Sequence, residues 1–323
     1  MAHEITHTNG KAEMAFVGNR SEIWHGLGQE LTPGSSIETW QKEAGMEWDI
    51  NSSDLVYHDQ LEGPQIFEGR QVLYRSDTKA PLSVVGDKYK IVQPKEVLEF
   101  FRSLTEEAGM ELSTAGTLFD GKRFWALADT KQSVKLNGGH DLIGGYLLLS
   151  TSCDVTLATS AQFTSVRVVC NNTLSIALTD GKQKVSVRHA STFKPNDVKK
   201  KLGLYEDSWD RFTRQMESMT QVKVSAKDAY NTILEIISTQ PDDPTKSDIK
   251  TASDIHNLYL GGGMGSDMAG STAFGLLNAL TEYYDHHVGR NASNKLVSSF
   301  WGTSNKKKNE SFTYIMDKFG IAV

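Results

Sequence analysis

The chain has 323 residues, of which 38% are apolar and 23% are charged, and its net charge is −6. This balance excludes a wholly disordered chain, and the length exceeds that of one small domain. No apolar run approaches the ~18–20 residues that cross a bilayer, so we expect no membrane partner. Two cysteines, Cys153 and Cys170, are too few for a disulfide framework, and we expect them to be buried thiols of a cytoplasmic protein.

The charge is distributed unevenly along the chain. Residues 1–100 contain 16 acidic and 9 basic residues, whereas residues 181–227 contain 11 basic and 5 acidic residues. Residues 286–309 contain five Lys or Arg and no acid. Clustered positive charge is typical of a nucleic-acid contact and also of an ordinary solvated helix face, so both interpretations stay open.

The N-terminal third combines a polar start with several short elements. Residues 1–22 are polar and predict a flexible N-terminal arm. Ser35 and Glu38 have the spacing of a capping box, which predicts the start of a short helix. Residues 46–50 alternate apolar and polar side chains and predict a strand. Further strands are predicted near residues 64–67, 71–75 and 82–85.

The next segment predicts a helix followed by a hairpin. Pro94 suits the first position of a helix, and apolar residues follow it at helical spacing as far as Leu104. The dipeptide Asp120-Gly121 predicts a hairpin between strands over 110–118 and 123–128. Residues 23–190 are therefore predicted to form an α+β domain, an antiparallel sheet with an inserted helix.

The most β-prone part of the chain is the stretch 142–178. It predicts a buried strand over 142–150, a turn at Cys153, and further strands over 155–163 and 164–169. The polar residues 171–173 could cap the short apolar segment that follows them. Arg167 lies within these strands, and a buried guanidinium is costly unless it has a partner or faces a groove.

From residue 191 to residue 323 the apolar period becomes helical, so a helical C-terminal region is predicted, with a linker near 240–245. Ser247 is a candidate cap, and the glycine-rich segment 261–265 predicts a mobile loop. Helices are predicted over residues 195–219, 226–237, 247–260, 272–287 and 311–319.

Motifs for catalysis or cofactor binding are absent from the sequence. The glycines of 261–265 lack the Lys-Ser/Thr of a phosphate-binding loop, and adjacent His286 and His287 point in different directions on a helix. Cys170 follows a β-prone run, which favours a buried thiol over a partner for His189. We therefore expect no metal, no cofactor and no enzyme activity.

The remaining signal combines cations with aromatic rings. Arg123 precedes Phe124 and Trp125 on one predicted strand, and other cations follow on later strands. Such strands, side by side, would bind single-stranded DNA through phosphate contacts and base stacking. In the alternative, the rings belong to the core and Arg167 pairs with an acid. The candidate nucleic-acid-binding residues are Arg123, Trp125, Arg167, Lys182, Lys184 and Arg188.

Six short motifs stand out along the chain, in residues 24–28, 89–94, 115–118, 121–125, 166–174 and 278–286. Together these motifs resemble the phage- and plasmid-like proteins of a domain of unknown function, number 932. The resemblance covers roughly residues 15–318 and implies a phage or plasmid setting, without a mechanism. The order helix, hairpin, strands, helix is also similar to that of the Redβ- and Rad-type single-strand annealing proteins, an analogy of fold pattern alone.

Two hypotheses of function follow. The first is a non-enzymatic phage- or plasmid-type protein that binds single-stranded DNA as a homo-oligomer in recombination or replication. The second is a self-assembling structural or host-interaction protein, in which the cationic clusters contact the acidic first hundred residues of a neighbouring subunit. The acidic N-terminal part and the negative net charge favour the second hypothesis.

Overall fold

The structure is a computed structural model, and it describes residues 5–8, 10–18, 28–139, 141–167, 172–176, 184–189, 205–289 and 292–321. The strands are β1 (His7–Thr8), β2 (Lys11–Ala12), β3 (Met14–Val17), β4 (Gln29–Leu31), β5 (Ile50–Asp59), β6 (Gly63–Arg75), β7 (Pro81–Gly86), β8 (Glu111–Leu118), β9 (Arg123–Leu136), β10 (Asp141–Ser152), β11 (Thr159–Arg167), β12 (Asn172–Ile176) and β13 (Val185–Val187). The helices are α1 (Ile37–Glu43), α2 (Pro94–Ala108), α3 (Tyr205–Gln221), α4 (Ala226–Ile237), α5 (Lys246–Asn257), α6 (Ser266–Ala269), α7 (Ala273–Glu282), α8 (Ala292–Trp301) and α9 (Thr303–Lys318).

Eight strands form the main sheet, in the order β12-β11-β10-β9-β8-β3-β4, and β13 also pairs with β11. The neighbours are antiparallel except β3 and β4, which are parallel. The helix α2 precedes β8, and the helices from α3 onward follow the last strand. This arrangement confirms the predicted α+β class, an antiparallel sheet with an inserted helix followed by a helical C-terminal region.

The predicted hairpin at Asp120-Gly121 is confirmed, since β8 and β9 pair on either side of it. The turn needs glycine for two reasons. The φ of Gly121 is +87°, and a Cβ there would lie 2.7 Å from the ring of Trp48. Because this signal is local in sequence, it identified the turn without knowledge of the rest of the fold.

Both faces of the main sheet are covered. One face buries Phe124, Leu147 and Phe163 in the larger core, against which α2 and α3 also pack. The opposite face buries Trp125 and Leu148 in a second cluster, together with side chains from α8. A sheet covered on both faces offers nucleic acid only its edges and ends, which decides where an interface can lie.

A separate sheet of three strands has the order β5-β6-β7. The strand β7 pairs with β6 only from Arg70 to Tyr74, so the far half of β6 has β5 as its one described neighbour. We call the far part of this hairpin, residues 54–69, the distal ribbon. It extends beyond β7 as a two-stranded element.

The prediction of a flexible N-terminal arm is wrong for the described residues 5–8 and 10–18. Met14 to Val17 form β3, which pairs with both β4 and β8 inside the main sheet. The Glu13 carboxylate, 5% exposed, accepts hydrogen bonds from buried Arg75 and from Thr117. These contacts to distant residues hold the segment, although its own composition is polar.

Three local predictions need correction at element ends. The N-cap of α1 is Ser36, whose Oγ accepts the Thr39 N–H at 3.2 Å, and not Ser35. The N-cap of α5 is Thr245, which forms a capping box with Asp248, and not Ser247. Residues 46–49 form no strand, so β5 begins only at residue 50.

In the central stretch, the predicted strands over 155–163 and 164–169 are one strand, β11, which begins at Thr159. Two of the polar residues, Asn172 and Thr173, begin the strand β12, which continues to Ile176. This strand pairs with β11 from Phe163 to Arg167, so the predicted capped segment is wrong. Pairing with a neighbouring strand overrides a local capping pattern.

The helical C-terminal region agrees with the sequence in outline. The helix predicted over 226–237 is confirmed as α4. The last helix begins at Thr303, eight residues before the predicted start, and α8 precedes it. The predicted helix over 195–219 is described only from residue 205. No helix among the described residues is long and apolar enough to span a membrane.

Candidate nucleic-acid interface

Trp125 and Phe124 are buried, with 4% and 0% of their surface exposed. Successive side chains of β9 point to opposite faces of the sheet, and both faces are covered. Trp125 therefore lies in the second cluster with Leu148 and, from α8, Trp301. The prediction that one of these rings is exposed for base stacking is wrong.

Arg123 is enclosed at the first position of β9, with 9% of its surface exposed. Its Cζ lies 5.2 Å from the centroid of the Phe119 ring and 5.5 Å from that of Trp301, and Nη2 donates to Thr156 Oγ1 at 3.2 Å. Burial lowers the pKa of Arg123, an effect that the Asp154 carboxylate opposes. The predicted exposed position of Arg123 is therefore wrong.

The side chains of two candidate nucleic-acid-binding residues, Arg167 and Lys182, lie outside the described part of the structure. Arg167 is the last residue of β11, where its backbone pairs with Ile143 and Asn172, but its side chain lies outside the described residues. Lys182 lies in the range 177–183, also outside them. Their proposed phosphate contacts stay predictions.

Lys184 and Arg188 are both exposed and flank the edge strand β13. The strand pairs with β11 through Val185, Ser186 and Val187. Val185 is buried, whereas residues 184, 186 and 188 are exposed, as the two-residue period of a strand requires. Four residues of strand place the two cations roughly 13 Å apart along one exposed face.

A second basic segment lies against the end of β13. The backbone N–H of Lys90 donates to the carbonyl of His189 at 2.6 Å, and the His189 ring stacks on Tyr89 at 4.7 Å between centroids. Lys88 and Lys90, on either side of Tyr89, are both exposed. The fold therefore brings together four exposed cations from two distant segments, which we call the basic rim: Lys88, Lys90, Lys184 and Arg188.

The stacked pair in the basic rim is held by backbone groups. The Tyr89 hydroxyl donates to the Ser152 carbonyl at 2.8 Å, and burial raises the pKa of this hydroxyl, so it stays neutral. The two ring nitrogens of His189 lie 3.3 Å from the Lys90 carbonyl and 3.1 Å from the Leu157 carbonyl. These contacts fix both ring planes.

The cations of the basic rim have no ion pair with any described residue. Two acids are nearby: Asp87 precedes Lys88 in the chain, and Asp154 is close enough to Tyr89 to affect its hydroxyl. Exposed and unpaired cations retain their charge for a partner from solution. The basic rim therefore is a positively charged surface with an ordered aromatic stack in it.

The other basic cluster of the sequence, around Lys306 to Lys308, is different. Lys308 is fully buried, and its Nζ lies 2.5 Å from Asp285 Oδ1, 2.5 Å from Thr173 Oγ1 and 3.0 Å from Ser299 Oγ. Asp285 Oδ2 also accepts the Thr173 N–H at 2.7 Å. This cluster ties β12 to α8 and α9, so Lys308 is unavailable to nucleic acid.

Metal-binding clusters of three or more His, Cys, Asp or Glu are absent from the part of the chain that the structure describes. The His287 ring stacks on Tyr283 at 6.0 Å, within the helical turn Tyr283–His287. Cys153 is buried, and burial raises the pKa of its thiol to about 12, so it is a poor nucleophile near neutral pH.

Sequence reasoning missed Lys88 and Lys90. The available signal was the pattern Lys88-Tyr89-Lys90, with an aromatic ring between two cations just before the helix that Pro94 begins. That pattern is weak by itself, and it gains meaning only because the fold places it beside β13.

Residues 81–311 match the family described as Domain of unknown function (DUF932). The chain belongs to this family. The match begins at β7 and ends within α9, so it includes the basic rim and the Lys308 cluster but not the distal ribbon. No curated protein and no solved structure matches the chain.

Proposed function

We propose that this DUF932 protein binds single-stranded DNA through the basic rim, without enzyme activity, in recombination or replication. The phage or plasmid setting that its family resemblance implies belongs to the same proposal. One observation carries it: four exposed cations, without a described carboxylate partner, surround an ordered aromatic stack. This combination suits a single strand, whose phosphates need cations and whose bases need a ring.

The positions of the four cations and of the two rings indicate which part of the strand each would contact. Lys184 and Arg188 would contact successive parts of the backbone along β13, and Lys88 and Lys90 would contact it from the other side of the stack. Tyr89 and His189 are half-buried, so each has an accessible part on which a base could stack. Stacking contributes about 1–3 kcal/mol per base and tolerates any sequence.

A fluorescence titration with a labelled oligonucleotide at low salt tests the proposal. We expect the double variant Lys88→Glu, Arg188→Glu to bind at least about tenfold more weakly than the wild type, because two phosphate contacts become repulsive. Lys306→Glu is the matched control, since this side chain is 76% exposed on α9, and we expect a change of about twofold or less.

Two results would overturn the proposal: no binding by the wild type at low salt, or equal loss of affinity in the basic-rim variant and in the Lys306→Glu control. Competition by duplex DNA and by RNA of the same sequence determines whether the bound polymer is single-stranded DNA in particular.

A second function, self-assembly, is favoured by a different observation. Of the eleven large apolar side chains that are exposed among the described residues, six lie on the three-stranded sheet. Concentrated exposed apolar surface is typical of a protein interface.

Light scattering on the double variant Leu61→Ser, Phe67→Ser tests this function. We expect this variant to have a lower mass than the wild type, whereas the control Ile249→Ser keeps the wild-type mass. A wild type that is monomeric at every concentration would exclude self-assembly.

A further inference from the structure

The distal ribbon exposes apolar side chains on both of its faces. Val56 and Ile66 are cross-strand partners, 53% and 58% exposed. Tyr57 and Phe67 have ring centroids 6.5 Å apart and are about half exposed, and Leu61 at the tip is 96% exposed. Because strand neighbours alternate between faces, the pair 56/66 and the pair 57/67 lie on opposite sides.

The distal ribbon also has little support from its own chain. From Gly63 to Ile66, β6 pairs with β5 but not with β7. A two-stranded ribbon with solvent on both faces is marginally stable in water. Contact with a partner would bury its apolar side chains and so stabilise it.

Charge indicates what kind of partner fits. Residues 54–69 contain four acids, Asp54, Asp59, Glu62 and Glu68, and no Lys or Arg. Among the described residues, the basic rim has the opposite charge. It also has an apolar neighbour, Val155, which is 65% exposed in the loop whose Leu157 carbonyl contacts His189.

We infer that the distal ribbon of one copy docks on the basic rim of a second copy, an inference that rests on the self-assembly function proposed above. The acids of the ribbon lie against the four cations, and its apolar side chains cover Val155 and the Tyr89–His189 stack. The two surfaces are different parts of the chain, so the contact is heterologous and generates a ring or an open chain of subunits.

The same docking has a consequence for DNA binding. A ribbon and an oligonucleotide would occupy the same cations, so assembly and binding to single-stranded DNA compete. Oligonucleotide at saturating concentration is therefore expected to lower the mass of the assembled protein.

Charge reversal on each surface tests the inference by sedimentation velocity at low salt, where exposed charges interact over about 30 Å. The ribbon variant is Glu62→Lys, Glu68→Lys, and the rim variant is Lys88→Glu, Arg188→Glu. Asp59 is left unchanged, because its carboxylate accepts the Leu61 and Glu62 N–H groups and holds the turn. Each variant alone then has one charged surface and one surface with no net charge, so the attraction between ribbon and rim is removed.

We expect each variant alone to associate at least about tenfold more weakly than the wild type, and an equimolar mixture to recover association to within about twofold, because opposite charges meet again in the mixture. Assembly that is lost in Leu61→Ser, Phe67→Ser but kept in both charge-reversed variants would overturn the docking inference and leave self-assembly standing. A wild type that is monomeric throughout would overturn both.

Discussion

Lys308 and the cations of the basic rim carry the same charge in opposite surroundings. Lys308 is fully enclosed among Asp285, Thr173 and Ser299, and its charge is neutralised inside the protein. Lys90 and Arg188 are exposed and have no ion pair with a described residue. Charge density along the sequence is therefore a poor guide to a binding surface, because the fold decides which cations remain available.

The interior itself contains two kinds of buried cation. Arg75, 2% exposed, donates to the carboxylates of Glu13 and Asp77 and lies 4.0 Å from the Trp48 ring. Arg123 has ring neighbours instead, and its Nε and Nη1 have no hydrogen-bond partner among the described residues. The two arginines and Lys308 allow paired and unpaired burial to be compared in one protein.

The largest effect is expected at Lys308. Lys308→Met leaves the Asp285 carboxylate buried without its cation, which costs about 3–5 kcal/mol of unfolding free energy. Urea denaturation measures this loss. The same change at exposed Lys306 is expected to cost less than about 1 kcal/mol, because exposed ion pairs contribute little.

The double variant Lys308→Met, Asp285→Leu sharpens the test, since it removes both charges. Its stability is expected to exceed that of Lys308→Met alone, because no uncompensated charge remains. Equal losses at Lys308 and Lys306 would contradict the assignment of Lys308 to the interior.

The buried thiol of Cys153, unlike Lys308, can stay neutral, and its burial makes the stability of the protein depend on pH. Burial raises the pKa of its thiol from 9.0 to about 12. Between these values the unfolded chain loses the thiol proton while the folded chain keeps it. The contribution of the neutral Cys153 thiol to the free energy of unfolding is therefore complete below pH 9. As the pH rises above 9, this free energy falls by about 1.4 kcal/mol per pH unit.

Chemical denaturation at pH 8, 9 and 10, on wild type and Cys153→Ala, measures this dependence. We expect the alkaline loss of stability to be steeper in the wild type by the contribution of one proton. Parallel pH profiles for the two proteins would contradict the burial of Cys153.

A smaller effect is expected at Arg123, in contrast to Lys308. Arg123→Met removes two buried donors without partners, each of which costs about 1–3 kcal/mol, and it also removes the contacts with the rings and with Thr156. These contributions oppose each other, so thermal or urea unfolding should show a net change of about 1 kcal/mol or less. A loss as large as that at Lys308 would show that Arg123 is paired in solution.

The sequence predicted those elements of the fold that depend on neighbouring residues. The Asp120-Gly121 hairpin and α4 follow from turn chemistry and helical spacing. The strand β12 and the N-terminal strand β3 did not follow, because each is stabilised by pairing with a distant strand. Local propensity is a weak guide where non-local pairing decides the structure.

The candidate site could be predicted only in part, for a related reason. The sequence placed Lys184 and Arg188 on a predicted strand, and the structure shows both exposed beside β13. Their role in DNA binding stays a prediction. Lys308 belongs to a stripe of four buried residues at helical spacing on α9, and this spacing is a weak sequence signal for its burial. Hydrophobic periodicity misses this stripe because three of its four members are polar: Ser304, Lys308, Ser311 and Ile315.

The salt dependence of oligonucleotide affinity tests the central claim most directly, that the basic rim binds a single strand through four free cations. In a plot of the logarithm of the association constant against the logarithm of salt concentration, we expect a slope of about −2.8. Each of the four phosphate contacts contributes about −0.7 to this slope. Each single change, Lys90→Gln for example, should reduce the slope by about 0.7. A slope near zero, or one unchanged by substitutions in the basic rim, would contradict the claim.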